Sequence, residues 1–160
     1  MRYLMILILG AFMGTAQAAD GPLTQLPGDL TLTQAQKILK VALDKATSQG
    51  VPMNIAIVDA GGHLKAFARQ DGALLGSIDV SYKKARSARL FNMPTSTLGA
   101  AAQPGQELYG IEVTNGGLVP FGGGELLIKN GVIIGAIGVS GGSVAEDTNV
   151  AKAGAAAAGL

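Results

Sequence analysis

The stretch Leu118–Gly142, LVPFGGGELLIKNGVIIGAIGVSGG, constrains this chain most. Two apolar runs, 125–129 and 132–139, flank Asn130-Gly131. A two-residue turn between right-twisted strands needs positive φ at both central positions, and Asn-Gly supplies it readily. The pair predicts a β-hairpin. Gly135 and Gly138 strip the second strand of side chains, which predicts close approach by another backbone or a ligand. The run is not a phosphate loop. There is no GxxxxGK[ST], and no GxGxxG leads from a strand into a helix with an acidic residue placed to follow it.

The first 18 residues, MRYLMILILGAFMGTAQA, carry one basic residue, an apolar run from Tyr3 to Met13, and Ala16-Gln17-Ala18 before a cleavage point. That is the pattern of a secretory signal peptide, with an apolar run too short for a spanning helix. The expected organisation is therefore a signal peptide at 1–18, a Pro- and Gly-punctuated linker at 19–30, and one domain at 31–160. The expected location is periplasmic or secreted, with no membrane anchor after cleavage. Of 12 basic residues Arg2 falls in the leader, so the remainder balances 11 acidic residues and carries no net charge. That balance argues against nucleic acid as a partner. Cysteine is absent, which excludes disulfides and thiolate metal sites.

Thr33 and Gln36 match a capping box, and Ala35, Ile38, Leu39, Ala42, Leu43 and Ala46 follow with helical spacing up to Gly50. Residues 53–59 and 63–70 read as two strands around the Ala60-Gly61-Gly62 turn. The first is apolar on both faces. In the second, Leu64, Ala66 and Ala68 fall on one side and His63, Lys65, Phe67 and Arg69 on the other. A second helix is expected over 77–91, burying Ile78, Tyr82, Ala85 and Ala88. Lys83, Lys84, Arg86 and Arg89 would form a basic face, either merely solvated or an anchor for carboxylates. Short helices are expected over 95–102 and 105–110. Ser143 and Glu146 form a second capping box opening a helix over 144–158, with Asp147 as a charge favourable to its dipole. Hairpins alternating with helices make the chain α+β.

Three segments together resemble the GlcG/HbpS family of haem-binding-like proteins, which also includes the C-terminal domain of PduO-type proteins. They are MNIAIVDAGGHLKAFARQDGA (53–73), KKARSARLF (83–91) and GVIIGAIGVSGG…ED…A..G (131–154). The resemblance spans about 31–158. It implies a profilin-like architecture, a five-stranded antiparallel sheet with helices on both faces, assembled as homo-oligomers, commonly large ones such as octamers. Exported members resembling HbpS bind haem and are associated with iron or redox sensing. The chain departs from the pattern at Gln70, where the family often has Met.

Haem needs an apolar slot, an axial ligand and cations near its propionates. After the leader, His63 is the only histidine, and Met53, Met93, Tyr82 and Tyr109 complete the inventory of other common ligands. The family's pattern of a threonine four residues after a phenylalanine implies Thr95, following Phe91, as the iron ligand. His63 is the alternative on chemical grounds. Arg86 and Arg89 are the propionate candidates, with Phe91 and Met93 lining the slot. The expected function is weak, reversible haem binding by an exported homo-oligomer. The alternative is an enzyme of unknown reaction, or a binder of another small molecule, using a pocket at a subunit interface. One histidine and no cysteine do not make a dedicated zinc or copper site. No histidine–acid pair neighbours Ser140 or Ser143 to make a hydrolase triad.

Overall fold

Asn130 and Gly131 both take positive φ, 51° and 76°, and join β3 (Gly124–Lys129) to β4 (Val132–Ser140) as the sequence predicts. This computed structural model describes residues 28–159; the signal peptide expected at 1–18 and most of the linker expected at 19–30 lie outside the described residues. The Gly62 turn, with φ of 81°, joins β1 (Asn54–Asp59) to β2 (Leu64–Arg69). Both hairpins belong to one antiparallel sheet of order β2-β1-β4-β3. The five-stranded sheet implied by resemblance is corrected to four strands among the described residues. Residues 114–123 do not extend it. Asn115, Gly116, Gly117 and Gly123 take positive φ there, and Pro120 has no N–H to donate to a ladder.

The sheet is covered on both faces. Ile55, Ile57, Leu127, Ile137 and Val139 pack against α1 (Leu32–Gln49) and α4 (Val144–Ala156). Ala56, Val58 and Ala136 face α2 (Gly76–Phe91). Helix α1 starts two residues earlier than expected, with Thr31 and Gln34 forming the capping box. The pattern Thr-x-x-Gln occurs twice in register, and packing selects the first. With Thr31 at the cap, Leu30 and Ala35 become the pair that staples the helix entry, and both are fully buried. The end of the linker segment is also tied down, since Asp29 accepts from Ala60 N–H at 3.0 Å and from Lys65 Nζ at 3.2 Å.

Helix α2 buries only half of the face predicted for it, Ala85 and Ala88 but not Ile78 and Tyr82. Its buried residues are Ser77, Ser81, Lys84, Ala85, Ser87 and Ala88, while Ile78 is exposed and Tyr82 only half-buried. The cause is Gly138. A Cβ at this position would run into the Ser81 carbonyl oxygen and the Ala85 backbone, so helix and strand meet backbone to backbone. A contact that close admits only small side chains along the seam, and the bulky residues are turned aside.

A bulge between Ile57 and Val58 corrects a second expectation. It sets Leu64 opposite Val58 and Phe67 opposite Ala56, which puts Leu64 on the α2 face with Phe67. Simple alternation had assigned Leu64 to the other face, with Ala66 and Ala68. Helix α3 (Thr95–Ala101) follows α2. The expected helix over 105–110 is replaced by turns, with Gly105 and Gly110 both at positive φ. Helix α4 keeps its predicted Ser143–Glu146 capping box.

Candidate functional site

Because α2 lies down on β4 and β1, it leaves the α2 face of the edge strand β2 uncovered. The result is a groove of about 480 Å3 lined by Leu64 and Phe67 from β2 and Leu75, Ile78, Asp79 and Tyr82 from α2. Leu64, Leu75 and Ile78 are exposed there at 53%, 71% and 37%, more apolar surface than a solvated groove usually keeps. Ile78, Tyr82 and Arg86 recur every four residues and so share a stripe of the helix. The apolar lining thus leads toward a cation.

At that end of the groove stands the β1–β2 turn. The Asp59 carboxylate accepts from the Gly61 and His63 N–H groups, each at 2.9 Å, and fixes the loop that carries the histidine. A Cβ at Gly62 would lie at ordinary contact distance from Arg86 Cγ and Leu90 Cδ2, which places the turn beside the C-terminal half of α2. His63 is exposed and directly precedes Leu64. Arg86 donates from Nη1 to the Asn115 carbonyl at 2.7 Å, a neutral partner that orients the guanidinium without cancelling its charge. His63 and Arg86 are thus neighbours in the chain of the lining residues Leu64 and Tyr82, without themselves lining the groove.

The remaining sequence-predicted residues lie elsewhere. Thr95 is fully buried at the start of α3, and its Oγ1 accepts from Gly124 N–H at 2.9 Å. It abuts β3, the edge strand opposite β2, and its side chain exposes no oxygen. Arg89 donates to Asn92 Oδ1 at 2.6 Å, and its buried Nε has no partner. Phe91 and Met93 are half-buried around the left-handed Asn92 that ends α2.

Lys84 is the residue the basic run conceals. Its ammonium is fully buried, donating to Asp147 Oδ2 at 2.7 Å and to the Val139 carbonyl at 2.9 Å. The Phe121 ring lies 4.6 Å away on another side. Burial lowers the Lys84 pKa, and the hydrogen bond and charge of Asp147 only partly oppose the shift. Asp147 is correspondingly more than a dipole charge: its second oxygen accepts from Gly142 N–H at 3.0 Å. The pair links α2 on one face of the sheet to α4 on the other. Gly123 and Gly124 make room for it, since a Cβ at either would strike the Lys84 amine or the Lys84 carbonyl. No group of three or more histidine, cysteine or acidic residues that could hold a metal ion occurs among the described residues. No helix among them is long and apolar enough to cross a membrane.

A family model described as "Haem degrading protein HbpS-like" matches residues 30–156. A 15.0 kDa protein from the dhaT–dhaS intergenic region of Citrobacter freundii is 40% identical over 124 residues, covering 77% of this chain and 87% of that protein. The crystal structure of a PduOC–haem complex superposes with a TM-score of 0.77 at 37% identity, covering 81% of this chain and 94% of that one. The crystal structure of HbpS superposes with a TM-score of 0.75 at 32% identity, covering 87% and 96%.

Proposed function

The chain belongs to the HbpS-like family, and from that premise we propose that it is an exported homo-oligomeric protein that binds haem weakly and reversibly in the groove between β2 and α2. One observation carries the choice of site: an apolar slot lined by Leu64, Phe67, Ile78 and Tyr82, with His63 directly before Leu64 and Arg86 one turn after Tyr82 in the chain. The residues fit the group. The slot suits the apolar body of a macrocycle, His63 offers an imidazole nitrogen, and the unoccupied N–H groups of Arg86 suit a carboxylate. A bound haem would supply an iron coordination position, and His63 is the residue here that would fill it. Thr95 serves this role poorly, because its oxygen is buried and already bonded to Gly124. Arg89, one turn from Arg86, is the second candidate for a propionate. Phe91 and Met93 would border the site at the helix end rather than line the slot. The exposed leucines of the same edge support assembly with further copies, since soluble oligomers usually close by symmetry.

Hemin titration followed by the Soret band tests this. The wild type is expected to give a saturable shift, His63→Ala to lose most of it, Arg86→Ala to weaken it, and Thr95→Ala to keep it. An unchanged shift in both His63→Ala and Arg86→Ala would overturn the groove as the site. No saturable shift in the wild type would overturn haem as the ligand.

A further inference from the structure

The sequence holds two Asn-Gly pairs, Asn115-Gly116 and Asn130-Gly131. Both take positive φ at each residue, 53° and 74° in the first pair and 51° and 76° in the second. Turn chemistry alone explains why both are Asn-Gly. Their surroundings differ. Asn130-Gly131 closes a hairpin, and the Lys129–Val132 pairing clamps its two ends. Asn115-Gly116 lies outside the sheet, in an exposed loop closed by a bond from Gly117 N–H to the Thr114 carbonyl at 2.9 Å. There the Arg86 guanidinium donates from Nη1 to the Asn115 carbonyl at 2.7 Å. Of the two Asn-Gly peptide bonds, this is the one with a side-chain donor on its carbonyl among the described residues.

That carbonyl belongs to the peptide group whose nitrogen is Gly116 N. A peptide N–H that gives up its proton shares the negative charge with the oxygen of the same group. A cation bonded to that oxygen favours the charged form. Gly116 N is also the atom that can close a five-membered ring on the Asn115 side chain, and Gly116 carries no side chain to obstruct it. The Asn115 carboxamide is tethered through its nitrogen, which donates to Thr114 Oγ1 at 3.0 Å.

We propose that Arg86 makes Asn115-Gly116 a site of self-modification, where asparagine converts to aspartate or isoaspartate faster than at the matching pair 130–131. Solvent hydroxide takes the Gly116 N–H proton. The nitrogen attacks Asn115 Cγ, the N–Cγ bond forms, and the Cγ–Nδ2 bond breaks with release of ammonia. Water then opens the resulting succinimide at either carbonyl. The net change is asparagine and water to an acid and ammonia, with nothing oxidised or reduced. Both residues are exposed, so water and hydroxide reach them. The product sets a carboxylate beside Arg86, whose partner here is a neutral carbonyl. A lone cation thereby becomes half of an ion pair. None of these steps requires haem.

The test ages the purified protein in warm, mildly alkaline buffer and follows the amide-to-acid mass gain at each site by peptide mapping. Asn115 is expected to convert about ten-fold faster than Asn130, the effect of lowering the acidity constant of the Gly116 N–H by about one unit. In urea the two sites should run at similar rates, because the folded geometry is gone. Arg86→Gln should slow Asn115 several-fold and leave Asn130 at its wild-type rate, so the hairpin site reports within each molecule that the fold is intact. Conversion at Asn130 first or at an equal rate would overturn the proposal. So would an Asn115 rate unchanged or raised in Arg86→Gln, or a wild-type ratio that persists in urea.

Discussion

Replacing Lys84 by Met should destabilise this domain far more than a change within a run of basic residues suggests. The substitution nearly conserves volume, so packing is kept and the charge is removed. It leaves Asp147 Oδ2 without its 2.7 Å partner and Val139 O without its 2.9 Å donor, both in a site closed to water. Breaking a buried ion pair by removing one member costs about 3–5 kcal/mol, because the survivor stays buried and uncompensated. That is a large share of the roughly 5–15 kcal/mol that holds a domain together. In urea, with m of about 1–3 kcal/mol/M, the midpoint should fall by about 2 M. Asp147→Asn should cost less, since an amide oxygen can still accept from Gly142 N–H. The double variant Lys84→Met/Asp147→Leu should recover part of the loss, giving strong coupling in a double-mutant cycle. A Lys84→Met variant within about 1 kcal/mol of wild type, or additive single effects, would refute the view that this pair braces the two faces of the sheet.

Two further outcomes follow from other parts of the molecule. Burial opposes ionisation of Asp29, but hydrogen bonds from Ala60 N–H, Lys65 and Leu30 N–H outweigh it and hold the pKa below the ordinary 3.8. The unfolded chain therefore binds this proton first as pH falls. The stabilisation is complete above the ordinary value and disappears as pH drops through the folded one. Urea titrations of wild type and Asp29→Asn should accordingly differ at pH 7 and converge in strong acid; a gap that persists undiminished there would refute the role of the charge. The exported form should begin at or within a residue or two of Ala19 by intact mass and scatter light as an oligomer, and a full-length Met1 species or a monomer mass at micromolar concentration would overturn these proposals.

Local chemistry made much of the fold legible. Asn130-Gly131 and Gly62 each act through a φ sign that few residues adopt, so their hairpins could be read without knowing what surrounds them. The Ser143–Glu146 box and Gly50 are equally local. Features decided across the chain were less legible. The α1 cap moved to Thr31 because Leu30 finds a place in the core, which no local pattern reports. The bulge at Ile57/Val58 flips Leu64, and one such slip changes which face a side chain serves. Thr95 is implied as a ligand by a family pattern alone, and the partner that engages its buried hydroxyl, Gly124 N–H, lies 29 residues away.

Lys84 and the groove were missed for one shared reason. Ser77, Ser81, Lys84 and Ala88 fall at i, i+4, i+7 and i+11, the rhythm of a buried face, but the eye gives that face to the larger Ile78 and Tyr82. Hydrophobic size is the usual guide because apolar area normally decides which side of a helix is buried. Here Gly138 overrides it by letting the strand and helix backbones touch, which only the small-residue stripe permits. Sinking that stripe forces Lys84 inside, where Asp147 must neutralise it, and rotates Ile78 and Tyr82 out to meet the uncovered face of β2. The glycine that interrupts β4 thus produces both the buried ion pair and the apolar groove. A larger residue at 138 that lifted α2 would alter both together.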